Sequence, residues 1–286
     1  MRIDSHQHFW NYDPVKDAWI TEEMSVLKRN FAPEDLLPLL QTAHIDGTIA
    51  VQANQSESEN LFLLSLAEKF PAIAGIVGWL DFRAPDVAQR LAYFKQFGKI
   101  RGFRHVVQDE PDDRFLLQPN FLRGIGLLRE FGFTYDVLIY PNQLPSATDF
   151  VQTFPDQPFV IDHIAKPAMK AKEITIWARH MTAIAANPNV HCKISGLITE
   201  ADWSSWQVSD FGPYLDVVFD TFGVNRVMFG SDWPVCLLAG TYEQVLEIVE
   251  NYTSNRSLEE KDKIFGGNAA RFYGVKTLQE RLAASI

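Results

Sequence analysis

The sequence predicts an α/β fold, a single (β/α)8 barrel of the TIM type filling residues 1–286. Three observations point to it. Eight short β-rich runs alternate along the chain with longer segments whose apolar residues recur at helical spacing. The length suits such a barrel, which typically takes about 250 residues. Polar side chains stand at the C-terminal ends of most of the runs, where a barrel gathers its loops into one mouth. An open doubly wound sheet is the competing architecture. It would place its site at one crevice, and no glycine-rich phosphate loop follows the first run.

The elements follow in order. Ile3-Asp4-Ser5-His6-Gln7-His8-Phe9 reads as the first strand, because it opens on apolar and β-tolerant residues. Side chains alternate faces along a strand, so His6 and His8 point the same way, with Asp4 expected below them on that face. Runs at 47–52, 73–80, 100–107, 133–140, 158–163, 190–195 and 226–231 supply the other seven strands. Among the helices between them, Leu36, Leu37, Leu39 and Leu40 mark one, Leu61, Leu64 and Leu66 a second, and Val217, Val218, Phe219 and Phe222 a third. Pro33 followed by Glu34 and Asp35 suits a first helical turn. Thr241 with Gln244, and Ser257 with Glu260, fit capping boxes. Gly47, Gly98 and Gly223 fall where helices should stop, and Gly267-Asn268 is expected to cap the last helix. No low-complexity linker or composition shift divides the chain.

Thirty-six acidic against twenty-six basic residues give a net charge of −10, which excludes nucleic acid or an anionic membrane as the main partner. The two cysteines, Cys192 and Cys236, flank apolar runs and read as buried small side chains, not a disulfide or zinc framework. No signal-peptide pattern opens the chain and no apolar run nears the ~20 residues needed to span a bilayer. The expectation is a cytoplasmic protein, monomer or homodimer, whose partner is a small molecule.

Chemistry concentrates at the strand ends. The first strand offers His6 and His8, the second Gln52 and Asn54, the third Trp79 and Asp81, and the fourth Arg104 and His105. The sixth offers Asp162 and His163 followed by Lys166, the seventh Lys193 and Ser195, and the eighth Asp232 and Trp233. Three histidines and a carboxylate around one mouth are the residue types of a mononuclear metal site. They are equally the types for metal-free hydrolysis, with a carboxylate base and imidazole donors. Structural roles compete. His163 could be a core imidazole, Asp232 a helix cap and Arg104 a partner of Asp81. Lys166 and Lys193 could point into solvent, and Trp10, Trp79 and Trp233 could be core as readily as pocket wall. Alternation sends Arg104 and His105 to opposite faces, so only one should face the mouth. His44, His180 and His191 read as surface or satisfied histidines.

Five motifs carry a resemblance: His-Gln-His-Phe-Trp at 6–10, Ile-Arg-Gly-Phe-Arg-His at 100–105, Asp-His-Ile-Ala-Lys-Pro at 162–167, Gly-Ser-Asp-Trp-Pro at 230–234 and Gly-Asn-Ala-Ala-Arg-Phe-Tyr at 267–273. In that order, and over essentially the whole chain, they resemble the amidohydrolase superfamily. Within it the chain is similar to the metal-optional lactone hydrolases, the branch of the sugar lactonases and 2-pyrone-4,6-dicarboxylate lactonase. The resemblance implies a (β/α)8 barrel that opens lactone rings, with His6 and His8 on the first strand, His163 on the sixth and Asp232 on the eighth. In that reading Asp232 takes the proton from water. His6, His8 and His163 hold the carbonyl oxygen, directly or through one divalent ion, zinc or manganese, bound by these three and Asp232. Arg104 is expected to hold substrate oxygens, with Trp79, Trp233 and Lys193 lining the substrate. Binuclear members of the superfamily carry a further ligand, often a modified lysine on the fourth strand, and a histidine on the fifth. Here those strands offer Arg104-His105 and Tyr135-Asp136. At most one metal is therefore expected, with catalysis surviving its removal. A 6-deoxy-sugar lactone suits the aromatic-rich rim better than a pyrone dicarboxylate, which would call for more arginines. The rival functions are a metal-dependent decarboxylase of the same superfamily and a catalytically silent barrel that binds a sugar acid.

Overall fold

The computed structural model describes residues 1–276, so the end of the expected domain, 277–286, lies outside the described residues. Each expected run holds a strand: β1 Ile3–Gln7, β2 Gly47–Val51, β3 Ile73–Gly78, β4 Ile100–Val106, β5 Thr134–Leu138, β6 Phe159–Ile161, β7 Val190–Ile194 and β8 Val227–Phe229. They pair in sequence order, every neighbour parallel. Backbone bonds just past the strands close the barrel. Asp232 N–H donates to the His6 carbonyl (2.8 Å) and His8 N–H to the Trp233 carbonyl (2.7 Å). The closing seam therefore sets the ends of β1 and β8 side by side.

Parallel strands in a barrel are buried on both faces, which is why these runs are Val- and Ile-rich and not alternating. Inward side chains Ile3, Ile49, Val51, Ala74, Val77, Val160 and Met228 form an inner cluster. The helix Asn268–Tyr273 plugs it from the N-terminal end through Ala269, Phe272 and Tyr273. Asn268 does more than begin that helix: its Nδ2 donates to the Val224 and Val227 carbonyls at the start of β8. The larger outer core lies between strands and helices, with Phe82, Phe103, Phe121, Tyr135 and Phe150 meeting edge to face.

Several helix ends are those the sequence indicates. Pro33 opens the helix Pro33–Thr42. Thr241 and Ser257 form reciprocal capping boxes with Gln244 and Glu260. Gly223, at φ 64°, follows the helix Gly212–Phe222. Gly47 is a correction: it begins β2, and the turn out of the preceding helix falls to His44 at φ 53°. Asp4 is another. The register slips between Asp4 and Gln7, so a bulge separates Asp4 from the histidines. Its carboxylate accepts from the backbone N–H of His6 (3.1 Å) and of Ser231 (2.9 Å) and from Tyr242 Oη (3.2 Å).

Candidate active site

At the seam four side chains meet. His6 Nε2 lies 3.2 Å from His8 Nε2, and Asp232 Oδ1 lies 3.4 Å from His8 Nε2 and 3.8 Å from His6 Nε2. His163 Nε2 approaches the same Oδ1 at 3.9 Å from the far side of the barrel. All four residues are buried at the C-terminal mouth. Burial alone would raise the Asp232 carboxyl; facing His163, the hydrogen bond from His8 and nearby His6 reverse this and hold it well below the carboxylate range. Burial also drives the imidazoles toward neutrality, His163 to about 4 and His6 well below its ordinary value. The result is an ionised Asp232 carboxylate beside His6 and His163, whose charged forms burial disfavours.

Second partners fix the rings. His8 Nδ1 is 2.8 Å from the Val51 carbonyl, which only accepts, so Nδ1 bears a proton and Nε2 is turned toward His6 and Asp232. Asp162 Oδ1, which only accepts, lies 3.4 Å from His6 Nδ1, and Arg104 Nη1, which only donates, lies 3.3 Å from His6 Nε2, so the proton sits on Nδ1 and Nε2 accepts. His163 Nδ1 pairs with Ser195 Oγ at 2.9 Å. Its backbone is unusual: His163, Ile164, Ala165 and Lys166 all have φ between 46° and 57°, a left-handed turn without a glycine. Each such residue costs about 1–2 kcal/mol. The turn persists because Trp177 Nε1 donates to the Ile164 carbonyl (2.8 Å) and Lys166 N–H to that of His163 (2.8 Å). Gly196 is required opposite: a Cβ there would fall 2.7 Å from His163 Nδ1.

Beneath His6 lies a charged cluster. Lys193 Nζ sits 2.5 Å from Asp136 Oδ2, 3.0 Å from Asp162 Oδ1 and 3.1 Å from His6 Nδ1, with its side chain 0% exposed. Tyr273 Oη donates to Asp136 Oδ2 from the plugging helix (2.8 Å). Arg104 donates through Nη1 to Asp162 Oδ2 (3.1 Å) and through Nη2 to the Gln52 carbonyl (2.6 Å). Burial pushes the Asp136 carboxyl up despite Lys193. At Asp162 burial pushes the same way, but Lys193, His6 and Arg104 together overcome it and hold the group well below its ordinary value.

Of the residues expected at the site, His6, His8, His163 and Asp232 come together directly. Arg104 faces inward beside them, its partner Asp162 and not Asp81, which pairs with Arg83. His105 points outward and stacks on Phe115 at 4.7 Å. Lys193 lies in the charged cluster, far from solvent. Trp233 is 2% exposed and packs on Phe9 and Phe31, whereas Trp79 stays half-buried at the rim. Ser195, Asp136 and Tyr273 are supporting residues whose roles the sequence alone did not reveal.

The donor set suits a divalent ion. His6, His8 and Asp232 offer one ligand atom each, all within 4.8 Å of one another. Bonds of about 2.0–2.1 Å in a tetrahedral zinc site set ligand atoms about 3.3 Å apart, near the spacings at the seam. Two ring nitrogens and a carboxylate oxygen converge there, the donor types that zinc takes. Three protein ligands with further room is also the pattern of catalytic zinc.

Residues 3–275 match the family model described as amidohydrolase. The chain is 42% identical to an L-fucono-1,5-lactonase of Burkholderia multivorans over 96% of both proteins. A crystal structure of an amidohydrolase from Burkholderia multivorans with bound zinc superposes with a TM-score of 0.94 at 42% identity, covering 96% of this chain and 100% of that one. A putative 2-pyrone-4,6-dicarboxylic acid hydrolase from Pseudomonas putida, 21% identical, shares the fold with a TM-score of 0.76 over 96% of this chain and 97% of that one. With the family model matched along nearly its whole length, the chain belongs to the amidohydrolase family.

Proposed function

We propose that the protein is a lactonase that hydrolyses a 6-deoxy-sugar aldono-1,5-lactone. The observation that carries the reading is Asp232, ionised and within 4 Å of three imidazoles, in a chain 42% identical to an L-fucono-1,5-lactonase. Asp232 takes a proton from water as the water oxygen attacks the lactone carbonyl carbon. The tetrahedral oxyanion forms beside His163, which donates from Nε2 when its Nδ1 accepts from Ser195 Oγ. Collapse breaks the bond to the ring oxygen, which receives the proton from Asp232, and the product is an open-chain hydroxy-carboxylate. His6, His8 and Asp232, with His163 adjacent, are the residues that would hold a single zinc or manganese ion. When bound, such an ion supplies carbonyl polarisation and a more acidic water. Arg104, Lys193 and Asp162 hold His6 from below, and Trp79 offers the substrate a ring at the rim.

In this reading the protein acts in the cytoplasm on a small neutral substrate, as one domain, monomeric or homodimeric. Among the described residues no helix is long and apolar enough to cross a membrane. A pH-indicator assay across aldonolactones and pyrone lactones tests the function. Turnover is expected to be greatest on L-fucono-1,5-lactone or a close 6-deoxy analogue. Absence of turnover on every sugar lactone would refute the reading.

A further inference from the structure

Outside the seam, a second set of aromatic and titratable groups stands at the ends of β3 and β4. Trp79 lies one residue past β3, at the same C-terminal end of the barrel that carries Asp232 and the imidazoles. Its side chain stays half-buried at that rim. The backbone on both sides of it is clamped by Asn60, whose Oδ1 accepts from Trp79 N–H and whose Nδ2 donates to the Trp79 carbonyl, each at 2.8 Å. The indole itself is fixed through its nitrogen: Nε1 donates to His105 Nδ1 at 3.2 Å. For Nδ1 to accept, the His105 proton must sit on Nε2, and Nε2 lies 2.7 Å from Glu110 Oε1. The His105 ring is held in turn by stacking on Phe115, 4.7 Å away with planes 10° apart, and by the edge of Phe121.

We propose that Trp79 is the stacking platform for the apolar face of the lactone ring, and that His105 and Glu110 are positioning residues that fix the plane of its indole. The proposal rests on the lactonase reading and deepens it by naming what selects the substrate. An aromatic face held in advance loses little freedom on binding, so it favours a ring with an uninterrupted C–H face, as a 6-deoxy sugar offers. The relay acts on binding and not on bond breaking, because none of its members reaches Asp232 or the imidazoles around it.

The test uses H105L, which keeps an apolar filler against Phe115 and Phe121, with H105Q as the variant that restores an acceptor. With L-fucono-1,5-lactone, H105L is expected to raise KM about tenfold, the effect of one lost hydrogen bond, with kcat changed less than about threefold. H105Q should recover most of the loss. In a W79A background, H105L should add almost nothing, since the group it positions is gone. The indole N–H resonance of Trp79, identified by its loss in W79F, should exchange slowly in the wild type and rapidly in H105L. A KM rise that persists in full in W79A, or unchanged indole exchange in H105L, would overturn the proposal. Failure of the wild type to turn over any lactone would count against the lactonase reading instead, and the exchange measurement would still decide whether His105 fixes the indole.

Discussion

Replacing Lys193 by Met keeps the length and apolar volume of the side chain and removes one charge. Lys193 is fully enclosed, with Asp136 at 2.5 Å and Asp162 at 3.0 Å. At an effective dielectric of 20, each contact at such distances carries about 6 kcal/mol of attraction. Desolvation offsets much of that in the intact pair. The variant forfeits the attraction while the carboxylates stay buried, and breaking a buried pair in this way costs about 3–5 kcal/mol. For a chain of this size that corresponds to a fall in Tm of roughly 6–20 °C. The loss should also depend on pH. Burial already raises Asp136, with Lys193 opposing, so K193M raises it further. A carboxyl raised in the folded state contributes stability that is present at low pH and lost as pH rises through its folded pKa. The deficit of K193M should therefore be smaller at pH 5 than at pH 8. K193M/D136N should recover part of the loss at pH 8 by removing one stranded carboxylate. Thermal melts of the wild type and the two variants at both pH values give the answer. A Tm fall under about 3 °C, or a deficit equal at the two pH values, would refute the cluster's role.

Three other outcomes follow from the same geometry. Burial pushes Glu59 up to about 7 from an ordinary 4.5; the wild type should lose stability relative to E59Q as pH rises across that window, by about 2 kcal/mol after allowing for partial exposure, and melts that stay parallel from pH 4 to 8 would contradict this. Gly196→Ala must push His163 aside from a left-handed backbone at φ 63°; a drop of about 10²-fold in kcat/KM is expected for a displacement of that kind, and a folded variant with wild-type kinetics would show that His163 takes no part. Elemental analysis should find no more than one tightly held zinc per chain, lost in H8A; two equivalents per chain, both required, would contradict the single-ion reading.

The fold was largely legible because parallel strands buried on both faces leave dense apolar runs, and polar residues at the ends of those runs mark the mouth. His6, His8, His163 and Asp232 could be found because their motifs end strands. What escaped is what depends on depth and on distant pairing. The bulge that turns Asp4 outward adds one residue to β1 and leaves no trace in the alternation. Alternation aims Lys193 and Asp136 inward, yet their full enclosure follows from the plug, whose Tyr273 meets Asp136 across 137 positions of sequence. The left-handed turn at His163 contains no glycine, the one residue whose presence would have signalled it. Arg104 was expected to hold substrate oxygens or to pair with Asp81, whereas its partner Asp162 becomes adjacent only when the barrel closes.

The central claim is that Asp232 activates water against a sugar lactone. The most direct measurement is the hydrolysis rate of L-fucono-1,5-lactone by the wild type and by D232N, with matching circular dichroism and thermal melts to show that both are folded. The account predicts turnover by the wild type and a loss of about 10²–10⁴-fold in D232N, the usual effect of removing one positioned base. Wild-type turnover retained by a folded D232N would contradict it.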